Sequence, residues 1–179
     1  MKRKTILIQM PVATISGYGA LSRDICKSLF KILPESEYEL MIDATMWGNC
    51  PHGALNPNDP EDKQIIDHYI KDGQLKEPPD LFLQNSIPSE FSRVGKTNWG
   101  FTAGTETSLA SLEFCNGANQ MDLIVVPSTF TKNVLGSTKW SKKDQQSGKI
   151  LNEIACIKPI EVLFEGLDTD KYFKIEWVD

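Results

Sequence analysis

The chain has 179 residues, a formal net charge of −5 and 40% hydrophobic residues, a length that suits one domain with a core of its own. The acidic balance, without a basic stripe threaded by aromatics, argues against a dedicated nucleic-acid binder. The apolar run behind Met1-Lys2-Arg3-Lys4 covers only Ile6 to Met10 before Pro11, too short for a signal segment, no other run approaches a membrane span, and the four cysteines, Cys26, Cys50, Cys115 and Cys156, lack C-x-x-C spacing, which together fit a cytoplasmic protein with reduced thiols.

Thr5 to Met10 reads as a buried strand feeding a small, glycine-bearing turn. Leu21, Ile25, Leu29, Ile32 and Leu33 then recur at helical spacing until Pro34 ends the pattern. A second strand is expected over Tyr38 to Asp43. Residues 47–61 hold Pro51, Pro57 and Pro60 with Gly48 and Gly53 and read as a long loop, and residues 62–72 as a short helix ending at Gly73. After Pro78-Pro79, Asp80 to Gln84 gives a third strand and Asn98 to Thr102 a fourth. Leu109, Leu112, Cys115 and Ala118 supply the apolar face of the next helix, and Asp122 to Val126 is a β-branched strand buried on both sides. Pro127-Ser128 stops it, with Ser128 capping a helix through Leu135. The polar stretch from Ser137 to Gly148 reads as a mobile surface loop, and a last strand spans Ile160 to Phe164.

Strands alternating with helices predict an α/β fold, a doubly wound, Rossmann-like parallel sheet with helices on both faces, whose ligands bind beyond the carboxyl ends of the strands. The candidate residues follow strands. Gly17 and Gly19 in Ser16-Gly17-Tyr18-Gly19 allow two readings: a cradle bringing backbone amides to an anionic group such as a diphosphate, or a tight strand-to-helix turn needing glycine for its own sake. Gly-Tyr-Gly-Ala-Leu-Ser lacks the third glycine of the dinucleotide fingerprint, which disfavours a nicotinamide-dependent reductase even though Asp43 ends the second strand. Ser128 and Thr129 open a helix at the cleft edge and suit either a polar ligand or plain capping. Cys50 and His52 lack two further ligands at zinc-like spacing, so no metal site is expected. Lys139, Lys142, Lys143 and Lys149 suit a solvated surface or, at most, peripheral contact with anionic lipid.

Four segments in order resemble the N-terminal half of the GT-B glycosyltransferases, specifically the retaining group 1, or family 4-like, class. They are Ser16-Gly17-Tyr18-Gly19 with Arg23-Asp24; Gly100-Phe101-Thr102 leading to Glu106-Thr107; Asn119-Gln120-Met121-Asp122 with the strand to Pro127-Ser128-Thr129-Phe130; and Val162-Leu163-Phe164-Glu165-Gly166-Leu167-Asp168-Thr169-Asp170-Lys171-Tyr172-Phe173. Gly104-Thr105 stands where the family more often has a bulky aromatic before the glutamate. The resemblance implies an acceptor-side domain over residues 1–164 and the start of an interdomain crossover over 165–179, with Glu165 and Gly166 as hinge and a second α/β domain completing the cleft. It implies transfer of a sugar from a nucleotide-sugar to a carbohydrate, lipid-linked or protein acceptor, without cofactor, metal or nucleic acid. Glu106 is then the candidate catalytic residue, positioning the acceptor hydroxyl, or else a first-turn carboxylate that complements the next helix's dipole, while Ser16, Gly17, Tyr18, Gly19, Thr105, Ser128 and Thr129 contact substrate. The alternative is a non-catalytic Rossmann-like module that binds a sugar or nucleotide.

Overall fold

A computed structural model describes residues 2–169 and 172–174. Six parallel strands, β1 (Lys4–Met10), β2 (Tyr38–Ala44), β3 (Leu81–Asn85), β4 (Thr97–Phe101), β5 (Leu123–Val126) and a last one over Ile160–Val162, form one sheet in the order β2-β1-β3-β4-β5 and then that last strand. Their side chains alternate between two faces, and both faces are buried. Ile6, Ile8 and Met10 pack with Leu40, Ile42, Leu83, Phe101 and Val125 on one face; Leu7, Met41, Phe82, Ile124, Val126 and Ile160 lie on the other. Near-continuous apolar runs such as Thr5-Ile6-Leu7-Ile8 arise because each alternate residue needs a hydrophobic neighbour on its own side.

The first face is covered by α1 (Gly17–Ile32), through Cys26, and α2 (Pro60–Asp67), through Ile65. The second is covered by α3 (Leu112–Ala118) and α4 (Thr129–Ser137), through Cys115, Ala118, Val134 and Leu135. Helices on both faces of a parallel sheet make the chain α/β and Rossmann-like. The strand order reverses direction at β1, so the crevice between the carboxyl ends of β1 and β3 is the sheet's topological switch point.

The structure departs from the sequence expectations in five places. The stretch from Ser137 to Gly148 is not a loop: β6 (Lys139–Lys143) and β7 (Ile150–Ala155) form an antiparallel hairpin beside the sheet, and the final sheet strand is therefore β8 (Ile160–Val162), ending before Leu163. Helix α2 stops at Asp67 rather than running to residue 72, because the backbone at 68–70 leaves the helix to bond β2, Ile42 N to His68 O and Ile70 N to Ile42 O. Helix α3 begins only at Leu112, where the Ser111 hydroxyl accepts from Phe114 N; Leu109 lies ahead of it and is exposed. The glycines of the first loop adopt no positive φ: Gly17 and Gly19 are ordinary first-turn residues of α1.

Candidate functional site

The site lies where the chain leaves the carboxyl ends of β1, β3, β4 and β5. The loop after β1 is held by side chains bonding backbone. Thr14 Oγ1 donates to Pro11 O at 2.9 Å and shares a hydrogen bond with Ser16 Oγ at 2.8 Å, while Arg23 reaches back from α1 to donate to Val12 O and Thr14 O, both at 3.0 Å. Ser16, with an extended backbone, caps the helix by accepting from Gly19 N at 2.9 Å. The amides of Gly17 and Tyr18 open the helix with no intrahelical acceptor. Gly19 is required by close approach, since a Cβ there would run into Thr14 O. Nothing crowds Gly17.

Tyr18 joins the first loop to the other strands. Its hydroxyl accepts from Ala103 N at 3.1 Å and hydrogen-bonds Thr102 Oγ1 at 3.2 Å, just beyond β4. Its ring stacks on Trp47, centroids 3.9 Å apart and 22° from parallel. Its carbonyl accepts from Ser22 Oγ at 2.6 Å and from Asn85 Nδ2 at 3.2 Å; Asn85, at the end of β3, also donates to Ser22 Oγ at 2.9 Å. Asn85 Oδ1 is buried and has no hydrogen-bond partner among the described residues.

A second connection links β4 to β5. Thr131 Oγ1 donates to Ala103 O at 3.2 Å, and Ser128 Oγ both accepts from Thr131 N and donates to Thr131 Oγ1, each at 3.1 Å. Between them Gly104 turns with φ +82°, and a Cβ there would collide with the Thr131 methyl. Ser128 is thus committed to capping α4, while Thr129 beside it is exposed. Thr105 hydrogen-bonds Thr107 through its hydroxyl at 2.8 Å, and Glu106 is exposed in the loop before α3, away from any helical first turn.

The long segment after β2 packs onto the first loop. Ile15 N donates to Pro51 O at 2.8 Å, and Gly53 N and Ala54 N donate to Ala13 O at 3.1 and 3.2 Å. His52 lies against Met46 Sδ, and among the described residues no three His, Cys, Asp or Glu side chains gather as a metal site.

A groove of about 440 Å³ opens beside this edge. Leu21, Ile25, Leu29 and Ile32 of α1 form one wall, Trp99, Phe101 and Val125 its floor, and Leu163, Phe164, Glu165 and Gly166 its far wall. Glu165 and Gly166 are exposed; Asp170 and Lys171 of the same motif, and the stretch after 174, lie outside the described residues.

The sequence residues Ser16, Tyr18, Gly19, Thr102 and Ser128 therefore come together in one hydrogen-bonded rim, whereas Glu106 and Thr129 border it and share no hydrogen bond with each other among the described residues. Trp47, Asn85 and Thr131 belong to the rim and were not anticipated. Asn85 carries a readable signal, a polar Gln-Asn-Ser run closing an apolar strand; Trp47 carries none short of its contact. Set against models of known protein families, curated proteins and solved structures, the chain matches none.

Proposed function

We propose that the chain is the acceptor-side α/β domain of a GT-B-type glycosyltransferase that moves a sugar from a nucleotide-sugar to an acceptor hydroxyl. One observation carries this: three of the four family-like segments, distant in sequence, are tied by direct hydrogen bonds at the carboxyl edge, Tyr18 to Thr102 and Ala103, and Thr102 N to Val125 O. The fourth, Leu163 to Gly166, follows β8 at the same edge and walls the adjoining groove. A parallel sheet presents its ligands to this edge. The Gly17 and Tyr18 amides face an anionic group at a helix start. The Tyr18–Trp47 pair offers an aromatic face to a sugar ring. Glu106, exposed beside the rim, is free to position an acceptor hydroxyl.

Sugar-transfer assays with a panel of nucleotide-sugars, run on the product of the natural reading frame that carries this sequence, test the proposal. The expected result is transfer that falls by about 10²-fold or more in Glu106→Gln, with folding unchanged. A frame product that binds no nucleotide-sugar and transfers nothing overturns it. Ligand binding without any turnover selects instead the non-catalytic binding module.

A further inference from the structure

The β6–β7 hairpin takes no part in the site described above. It is tied to the domain at its base, where Trp140 Nε1 donates to Ala110 O at 3.0 Å and Ile154 packs against the core. Asn119, at the end of α3, clamps the end of β7, donating to Ala155 O at 2.8 Å and accepting from Ile157 N just beyond it at 3.0 Å. Beyond this anchored base every residue of β6, and β7 as far as Glu153, is exposed. The turn is ordered by Asp144, whose carboxylate accepts from Gln146 N, Ser147 N and Ser147 Oγ, contacts that hold its carboxyl below the usual carboxylate range.

The exposed end combines positive charge with apolar surface. On a chain of net charge −5, Lys139, Lys142, Lys143 and Lys149 stand here against Asp144 and Glu153. Glu153 pairs with Lys139, and Asp144 is spent on its turn. Lys142, Lys143 and Lys149 make no ion pair among the described residues. Directly after Lys149 come Ile150 and Leu151, 53% and 58% exposed. The register shift at Lys142/Lys143 pairs Lys143 with Ile150 and leaves Leu151 as the extra residue of a bulge. Lysines that served only to blunt the hairpin's edges would account for the charge but not for two adjacent aliphatics set among them.

We propose that this hairpin docks the protein on the surface of an anionic phospholipid bilayer. The three unpaired ammonium groups meet lipid phosphates, and Ile150 and Leu151 enter the boundary between headgroups and acyl chains. Basic residues around a small apolar tip are the pairing that interfacial binding needs, charge for attraction and aliphatic area for retention. A nucleic acid fits less well: the hairpin has no arginine, and its one aromatic, Trp140, is committed to the base.

Co-sedimentation with phosphatidylcholine vesicles, with and without about 30% phosphatidylglycerol, tests this at about 0.1 M and about 0.5 M salt. Binding is expected only with phosphatidylglycerol, and it weakens at the higher salt. Lys142→Gln/Lys143→Gln/Lys149→Gln is expected to lower the partition coefficient by on the order of 10²-fold, about fivefold per lysine. Ile150→Ser/Leu151→Ser lowers it by about tenfold. All five side chains are exposed, so both variants keep the parent urea midpoint and circular dichroism, which separates loss of docking from loss of fold. No binding to the anionic vesicles, binding unchanged in both variants, or binding to a single-stranded oligonucleotide in preference to vesicles would each overturn the proposal.

Discussion

The two faces of the sheet are built from equally apolar strands but are covered to different extents. On the face of α3 and α4, Leu7, Met41, Phe82, Ile124, Val126 and Ile160 are all buried. On the face of α1 and α2, the floor formed by Trp99, Phe101 and Val125 borders a groove, and α1 turns Leu21, Ile25, Leu29 and Ile32 toward that groove while burying Ser22 and Cys26 completely. The helical stripe visible in the sequence is thus real but divided: Ile25, Leu29 and Leu33 pack against the core, while Leu21 and Ile32 serve only the groove wall. Periodicity says that a helix has an apolar side; it does not say whether that side is filled by its own domain. An apolar side left open next to a ligand edge is a different object from a core.

The largest expected effect tests the closed face. Phe82 is 0% exposed and packs within the cluster beneath α3 and α4. Phe82→Ala should cost about 3–5 kcal/mol in urea unfolding, by lost transfer energy and the cavity left behind. A cost below about 2 kcal/mol would show that this face relaxes and that the contrast between the faces is overstated.

Next in size is the seam between them. Tyr18→Phe deletes the hydroxyl that accepts from Ala103 N and meets Thr102 Oγ1 but keeps the ring on Trp47. The expected loss is about 1 kcal/mol of stability, because a partner amide loses its acceptor while water can still reach Ala103. Weaker nucleotide-sugar binding without change in the urea slope would place the effect at the rim rather than in the fold as a whole.

On the open face the expected effect is smaller again. Ile32, 70% exposed at the groove's end, should tolerate Ile32→Ser within about 0.5 kcal/mol. A loss above about 1 kcal/mol would mean that the groove is closed in solution and that the two faces are alike.

What the sequence disclosed and what it withheld divide along the same line of locality. Strands β1 and β5 were readable because burial on both sides demands unbroken apolar runs, and the cap Ser128 because it precedes helical spacing, whereas Ser16, read as a substrate contact, is seen to cap α1 only in the structure. The β6–β7 hairpin was not readable, since strands exposed on both sides have no need to alternate, and its lysines imitate a loop. The end of α2 was hidden because bonds from Ile42, far earlier in the chain, compete for the backbone at 68–70. Within the site, Ser16, Tyr18, Gly19 and Ser128 drew attention by following strands, but Asn85 and Thr131, which end or follow strands as well, were passed over. Trp47 was not legible, because its place against Tyr18 depends on how residues 51–54 bond the first loop.

The smallest expected effect concerns pH and belongs to the closed face's amino edge. Asp122, just before β5, receives both guanidinium nitrogens of Arg93, at 2.8 and 3.1 Å, and accepts from Asn98 N at 2.9 Å. Asn98 is fully buried and uses its own Oδ1 to accept from Val94 N and Gly95 N, so the carboxylate fastens β4 and β5 at the end opposite the site. The Arg93 bond, opposed by partial burial and reinforced by Asn98, holds the Asp122 carboxyl below the usual carboxylate range. A carboxyl whose pKa is lower folded than unfolded stabilises the fold fully above its unfolded value of about 3.9, and that contribution disappears as the pH falls through the folded value. Stability should therefore drop as pH falls from about 5 toward about 3, and Asp122→Asn, which keeps an acceptor but cannot titrate, should flatten that limb. The pair is exposed to salt, so the flattening should shrink at high ionic strength. An acid limb of equal steepness in Asp122→Asn would move the titration elsewhere, to Asp80 with Lys96 on the same edge, to Asp144 in the hairpin turn or to Asp62 with Lys27 between α1 and α2, and in the last case the open face would carry the pH dependence.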